Sequence, residues 1–142
     1  MEIGLVNVGD EFNEEFVLSE ETHEGFMKVF KDRHPLHTST KYANKYGFSS
    51  NVMHGNILNG YLSYFVGECF PLKQIMILAQ DIKFSNPVYL GDKLLLVARV
   101  AAIHQSVSVV ELSCRFTNSK AVTVAKAALS LRALTEMDVK EL

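Results

Sequence analysis

The 142-residue sequence has no tryptophan, only three prolines and only two cysteines. Cys69 and Cys114 lie in apolar stretches without metal-ligand spacing, so a disulfide scaffold and a zinc module are both excluded. Scarce proline and 48% hydrophobic residues exclude a disordered or fibrous chain. Long apolar runs are lacking too. The most apolar stretch, residues 57–66, is interrupted by Asn59, Gly60 and Ser63 and falls short of the roughly 20 residues a bilayer span requires. The start, Met1-Glu2-Ile3-Gly4, has no basic region followed by an apolar one, so no secretory signal is expected. Neither sign of charge is in excess: 14 basic against 16 acidic residues give a net charge of −2, which argues against nucleic acid as a partner. These absences leave a soluble, cytoplasmic protein with one domain over residues 1–142 and no membrane partner.

The patterning that is present divides the chain in two. Residues 11–18 alternate loosely and form a candidate strand. Ser19 followed by Glu20 and Glu21 marks a helix start, a hydroxyl capping free amides ahead of acids at the positive end of the dipole. Phe26, Val29 and Phe30 share one face, so the helix runs to about residue 30. Pro35 predicts a loop over residues 31–37, with His34 extended. A short helix follows over residues 39–46, stopped by Gly47. Residues 55–70 read as a helix apolar on nearly every side, which must be surrounded by protein. From residue 74 the period changes to two: Val110, Leu112, Cys114 and Phe116 alternate with Glu111, Ser113 and Arg115. Strands are expected over residues 75–84, 93–104, 110–116 and 121–134, four in a row joined by short turns. A buried helix beside a long antiparallel sheet is an α+β fold with the sheet curled around the helix.

Three groups of residues are candidates for chemistry. Asp32-Arg33-His34-Pro35-Leu36-His37 brings a carboxylate and an imidazole around one proline bend. Such a pair can hold a water and move its protons at neutral pH; the alternative is a turn with surface charges. His54-Gly55-Asn56 stands at the mouth of the apolar helix, where an unpaired amide can face a carbonyl oxygen gaining negative charge, or where Gly55 merely permits a tight turn. Ser63, two turns in, reads as a buried hydroxyl needing a partner, either a carbonyl one turn back or a group in a site. His54 and Asn59 near the mouth and Val66 further along are candidate substrate-binding residues. His23 and His104 have no evident partner.

In order, the motifs resemble the MaoC-like, R-specific enoyl-CoA hydratases of the hot-dog fold. The likeness begins at Val8-Gly9-Asp10-Glu11-Phe12 and continues through Asp32-Arg33-His34-Pro35-Leu36-His37, similar to the family's Asp-x-Asn-Pro-Leu-His. Ala43, Gly47-Phe48, Val52-Met53-His54-Gly55 and the run from Phe84 through Pro87-Val88 to Gly91-Asp92 follow. The resemblance implies that Asp32 and His37 are the catalytic pair gripping the water, that Gly55 donates its amide to the thioester carbonyl and that Ser63 supports the active-site hydrogen bonds. It implies reversible addition of water to a trans-2-enoyl thioester of CoA or an acyl-carrier protein. CoA or phosphopantetheine is then part of the substrate, and no separate cofactor or metal is expected. It also implies a homodimer of units paired edge to edge. Phe30-Lys31 stands where the family has Ser-Gly, and His34 where it has Asn. Two other functions fit the same residues, a hot-dog thioesterase and a non-catalytic acyl-thioester binding module.

Overall fold

A computed structural model describes residues 2–136 of the chain; the outermost residues of the expected domain, 1 and 137–142, lie outside the described part. A short 3-10 turn (Glu2–Leu5) precedes strand β1 (Glu11–Val17) and helix α1 (Glu20–Phe30). Two short helices, α2 (Pro35–Thr38) and α3 (Thr40–Lys45), lead to α4 (Asn56–Tyr64), which continues as a π-helical turn (Phe65–Cys69). Strands β2 (Ile75–Phe84), β3 (Lys93–His104), β4 (Val109–Asn118) and β5 (Thr123–Ala133) complete the fold.

The five strands form one antiparallel sheet in the order β1-β3-β4-β5-β2. The expectation of four consecutive neighbours is therefore corrected at one joint. β2 does not pair with β3; it crosses to the far edge and pairs with β5, Phe84 opposite Ala125 and Ile75 opposite Ala133. Strand periodicity fixes which side chains face inward but carries no information about which edge a strand joins. The alternating residues of β4 do divide as expected: Val110, Leu112, Cys114 and Phe116 are buried, while Glu111, Ser113 and Arg115 are exposed.

The inner face of the sheet covers α4. Leu94, Leu96, Ala98 and Val100 of β3 share one core with Leu112 and Phe116 of β4, Leu129 and Leu131 of β5, and Ile57, Leu58, Leu62, Phe65 and Val66 from the helix. The helix is not enclosed on every side. Asn56, Gly60, Ser63 and Gly67, at helical spacing, make an exposed face turned away from the sheet in the single chain. Ser63 is thus not a buried hydroxyl. The apolar residues along this helix overstate its burial in the sequence, because Gly60 and Gly67 leave a face open without adding polarity.

Two local expectations also change. Pro35 does not exclude a helix here. It occupies the first position of α2, where its missing N–H would be unpaired anyway, while His34 before it is extended (φ −53°, ψ 137°). On α1, His23 is buried whereas Val29 and Phe30 are each 68% exposed, so the inward face is rotated from the one the phenylalanines suggested.

Candidate active site

Asp32, His37 and His54 converge although 22 positions separate the first from the last. Lys31 ends α1 in the left-handed region (φ 62°), its amide donating to the Met27 carbonyl at 2.8 Å, and this turns the chain so that Asp32 leaves the helix axis. The Asp32 Oδ1 then accepts the His34 amide at 3.2 Å, and His34 Nδ1 accepts the Leu36 amide at 3.1 Å. His34 therefore braces the bend and caps α2, a task an Asn side chain can also perform. The turn places His37 over residues 51–53. Its Nδ1 lies 2.8 Å from the Val52 carbonyl, the Val52 amide donates to the Leu36 carbonyl at 2.9 Å, and the Asn51 side-chain amide donates to the His37 carbonyl at 2.9 Å. The Met53 amide donates to the Val88 carbonyl at 2.8 Å, tying this segment to the loop after β2.

These contacts fix the state of His37. A carbonyl can only accept, so Nδ1 carries a proton, and in the neutral ring it is Nε2 that presents the lone pair. That nitrogen is 4.0 Å from Asp32 Oδ2. The separation is too long for a direct hydrogen bond and short enough for one water to touch both groups. The His37 side chain is 17% exposed and that of Asp32 50%, so the pair is open to solvent from the carboxylate side.

His54 lies behind the pair, its side chain 3% exposed. Its Nε2 donates to the backbone carbonyl of Asp32 at 2.8 Å, and its ring stacks on His37 with centroids 3.9 Å apart. Burial pushes the His54 pKa down, and neighbouring His37 adds to this against the opposing pull of the Asp32 carbonyl; His23 is lowered by burial first and by His54 and His37 next. Both rings are thus held neutral. Among the described residues, the donor atoms of Asp32, His37 and His54 all lie within 4.8 Å of one another, close enough to consider a metal. Because His54 Nε2 is committed to the Asp32 carbonyl, only the carboxylate and His37 Nε2 are left available as ligands.

Gly55 precedes the first turn of α4, which has no side-chain cap. Its own amide has no intramolecular acceptor among the described residues. A Cβ at Gly55 would lie 2.8 Å from the Phe84 ring, so a glycine is what lets that ring close over the chain here. Two cavities flank the cluster. One of about 410 Å³ is lined by His37, Gly55, Asn56 and Phe84. The other, about 860 Å³ and mostly apolar, lies between α1 and α4 and is lined by Phe26, Asp32, Asn56, Asn59, Gly60 and Tyr61. Asn56 borders both.

The remaining sequence candidates fall in four places. Asn59 lies on the larger cavity, its side-chain amide donating to Asn56 Oδ1 at 3.0 Å and its Oδ1 accepting from Gln80 of β2. His54 is sealed behind His37 and lines neither cavity. Val66 is 4% exposed in the core, and Ser63 is exposed one turn beyond the cavity wall; neither lines either cavity. Sequence reasoning missed Val52, Phe26, His23 and Gln80. Val52 acts through its carbonyl, which no side-chain pattern can signal. His23 and Phe26 had a usable signal, since their i, i+3 spacing on α1 puts an imidazole on the inward face. His104, also without an evident partner in the sequence, faces Glu111 across the hairpin at 3.5 Å.

The sequence matches the family model described as MaoC like domain over residues 6–128. It is 29% identical over 102 residues to the mitochondrial 3-hydroxyacyl-[acyl-carrier-protein] dehydratase of Arabidopsis thaliana, which covers 72% of this chain and 60% of that protein. It is 29% identical over 100 residues to the (R)-specific enoyl-CoA hydratase of Aeromonas caviae, covering 70% of this chain and 75% of that one. Among solved structures, the unliganded R-hydratase PhaJ1 from Pseudomonas aeruginosa superimposes with a TM-score of 0.84 at 23% identity, over 96% of this chain and 92% of that one. The (R)-hydratase from A. caviae does so with a TM-score of 0.83 at 21% identity, over 91% of this chain and 98% of that one. At those identities the structural likeness speaks for the hot-dog fold, and the family match speaks for descent: the chain belongs to the MaoC-like domain family.

Proposed function

We propose that the protein is a lyase that adds water reversibly to trans-2-enoyl thioesters of CoA or an acyl-carrier protein, giving R-3-hydroxyacyl thioesters. The observation that carries this is the 4.0 Å gap between His37 Nε2 and Asp32 Oδ2, with the imidazole tautomer set by the Val52 carbonyl. A water held in that gap loses a proton to the pair as its oxygen bonds to Cβ. The electron pair of the double bond moves toward the thioester carbonyl, and Cα takes a proton back from the pair, so no proton is gained or lost overall. The Gly55 amide, on the same cavity as His37, is the donor for the oxygen that becomes enolate-like. The relatives named as enoyl-CoA hydratase and acyl-carrier-protein dehydratase support this reaction class.

The larger cavity suits the acyl chain, and the exposed Gly60 on its wall leaves it open toward the uncovered face of α4. A homodimer paired through β2 is part of the proposal: β2 ends the sheet, and Met76 and Leu78 on it are 46% and 45% exposed. No helix among the described residues is long and apolar enough to cross a membrane. Both cysteines are free, which suits a reducing compartment such as the cytoplasm. The decisive assay mixes the protein with crotonyl-CoA and follows loss of the conjugated enoyl absorbance. Hydration that disappears in Asp32→Asn supports the reading. Release of free thiol without hydration assigns a thioesterase instead, and saturable binding without either assigns a binding module.

A further inference from the structure

His54 does not fit either role open to it as a substrate contact or a plain core residue. It lines neither of the two cavities that flank the cluster, yet it contacts both members of the candidate pair. Through Nε2 it holds the Asp32 carbonyl at 2.8 Å, and through its ring face it holds His37 at 3.9 Å and 30°. Its other face is packed by Phe26 of α1, with ring centroids 4.5 Å apart. His54 is thus clamped between α1 and the imidazole that handles the water. Its Nδ1 is buried without a hydrogen-bond partner, as is Nδ1 of His23, whose ring lies 5.6 Å away. Leaving a buried acceptor unpaired has a cost that a phenylalanine or leucine would avoid. A purely structural position would favour the apolar residue.

We infer that His54 is a positioning residue for the hydration reaction: one nitrogen fixes the backbone of Asp32, and the ring plane fixes the orientation of His37. The inference rests on the hydratase reading. The physical reason is that the carboxylate is half exposed on a bend and the imidazole ring has one hydrogen-bond anchor among the described residues, so each needs a second restraint to keep the gap between them at the width of a water. A histidine supplies both restraints from one side chain. A neutral ring against His37 also leaves room for His37 to carry a proton during turnover, because an imidazolium lies favourably over an aromatic face.

Three variants of the full chain separate this from a structural role. His54→Leu removes donor and ring face; we expect kcat for crotonyl-CoA to fall about 10- to 100-fold, the size of one lost buried hydrogen bond, with KM within about threefold. His54→Gln restores an N–H for the Asp32 carbonyl and is expected to recover most of kcat. His54→Phe keeps the stack without the donor and is expected to fall between. A wild-type kcat in His54→Leu overturns the inference, as does a loss that falls on KM, or a loss equal in all three variants that tracks their melting temperatures. If His54→Leu does not fold, Gln above Phe in kcat supports the inference, and Phe equal to or above Gln overturns it. A readout independent of turnover is the nitrogen-15 spectrum of the imidazoles. The Val52 carbonyl keeps His37 in the Nδ1–H tautomer throughout, so we expect the His37 ring-proton correlations to lose their ring-current shift in His54→Leu and His54→Gln and to keep it in His54→Phe; unchanged correlations in the Leu and Gln variants overturn the stacking half of the inference. Failure of the wild type to hydrate any enoyl thioester would instead sink the hydratase reading while leaving the spectral test intact.

Discussion

The sheet and the helical segment before it are built on different rules. In β3, β4 and β5, side chains alternate between core and solvent, and the strands pair along nearly their whole length with one register shift in each ladder. Between α1 and α4 the chain has short helices, a left-handed residue and a set of bonds in which backbone carbonyls act as the acceptors: Val52 for His37, Asp32 for His54, Val88 for Met53. The sheet is held by burial repeated along its length. The site is held by a few specific contacts, each without a substitute. A change in the sheet should therefore act on stability, and a change in the bend should act on activity.

The largest effects should come from the bend. Asp32→Asn and His37→Ala are each expected to lower kcat by about 10²- to 10⁴-fold, the usual contribution of a positioned acid or base. Neither group belongs to the hydrophobic core, and Asp32 is half exposed, so the melting temperature should hardly move. Steady-state hydration rates beside thermal melts check the split. A large drop in melting temperature for either variant would erase the distinction between the two regions.

The converse experiment is in the sheet. Leu112 is 1% exposed and packs in the core shared with α4, yet it lines neither cavity at the site. Leu112→Ala should cost about 2–5 kcal/mol of stability through lost burial and the cavity left behind. The kcat of the fraction that remains folded should stay within about twofold. Denaturant melts and rates measured below the transition would decide it. A kcat loss comparable to that of His37→Ala would mean the sheet transmits strain to the bend.

This division also governs what could be read from the sequence. The β3 bounds, 93–104, follow from a long apolar run opened by the turn residues Gly91-Asp92, and the Ser19 cap follows from a hydroxyl ahead of two acids. Asp32, His37 and Gly55 could be nominated because proton transfer and oxyanion binding need particular groups. Other features were not legible. The crossing of β2 to the far edge is a choice among pairings with equal local energies. The exposure of Ser63 depends on small residues one turn away, Gly60 and Gly67, which look apolar in sequence but cover nothing. The role of His54 as a brace rather than a substrate contact depends on which of its nitrogens meets a carbonyl from residue 32. Side-chain type announces chemistry, whereas position comes from backbone atoms that every residue shares.

Acid should affect the two regions unequally. His23 and His54 both have pKa values lowered by burial, so the unfolded chain binds protons that the folded chain refuses as pH falls below about 6.5. Stability is therefore fully present above pH 6.5 and declines as pH drops toward the depressed folded values. Melts between pH 7.5 and 5 should show this decline. His23→Leu removes one of the two neutral imidazoles, and its curve should be flatter. An equally steep curve in that variant would place the acid sensitivity elsewhere, among the carboxylates.

The smallest effect should come from Lys31, at the junction of helix and bend. Its φ of 62° is a conformation that costs an L-residue about 1–2 kcal/mol and that glycine adopts freely. Glycine gives part of this back, because it makes the unfolded chain more flexible, and loses a cation that interacts favourably with the carboxyl end of α1. The net gain for Lys31→Gly should be about 0.5 kcal/mol. Lys31→Ala removes the same charge but retains the strained backbone, so it should be neutral or slightly destabilising. Chemical denaturation of the pair isolates the backbone contribution. If alanine stabilises as much as glycine, the charge beside Asp32 is the unfavourable element, and the left-handed turn that opens the bend is not strained by its side chain.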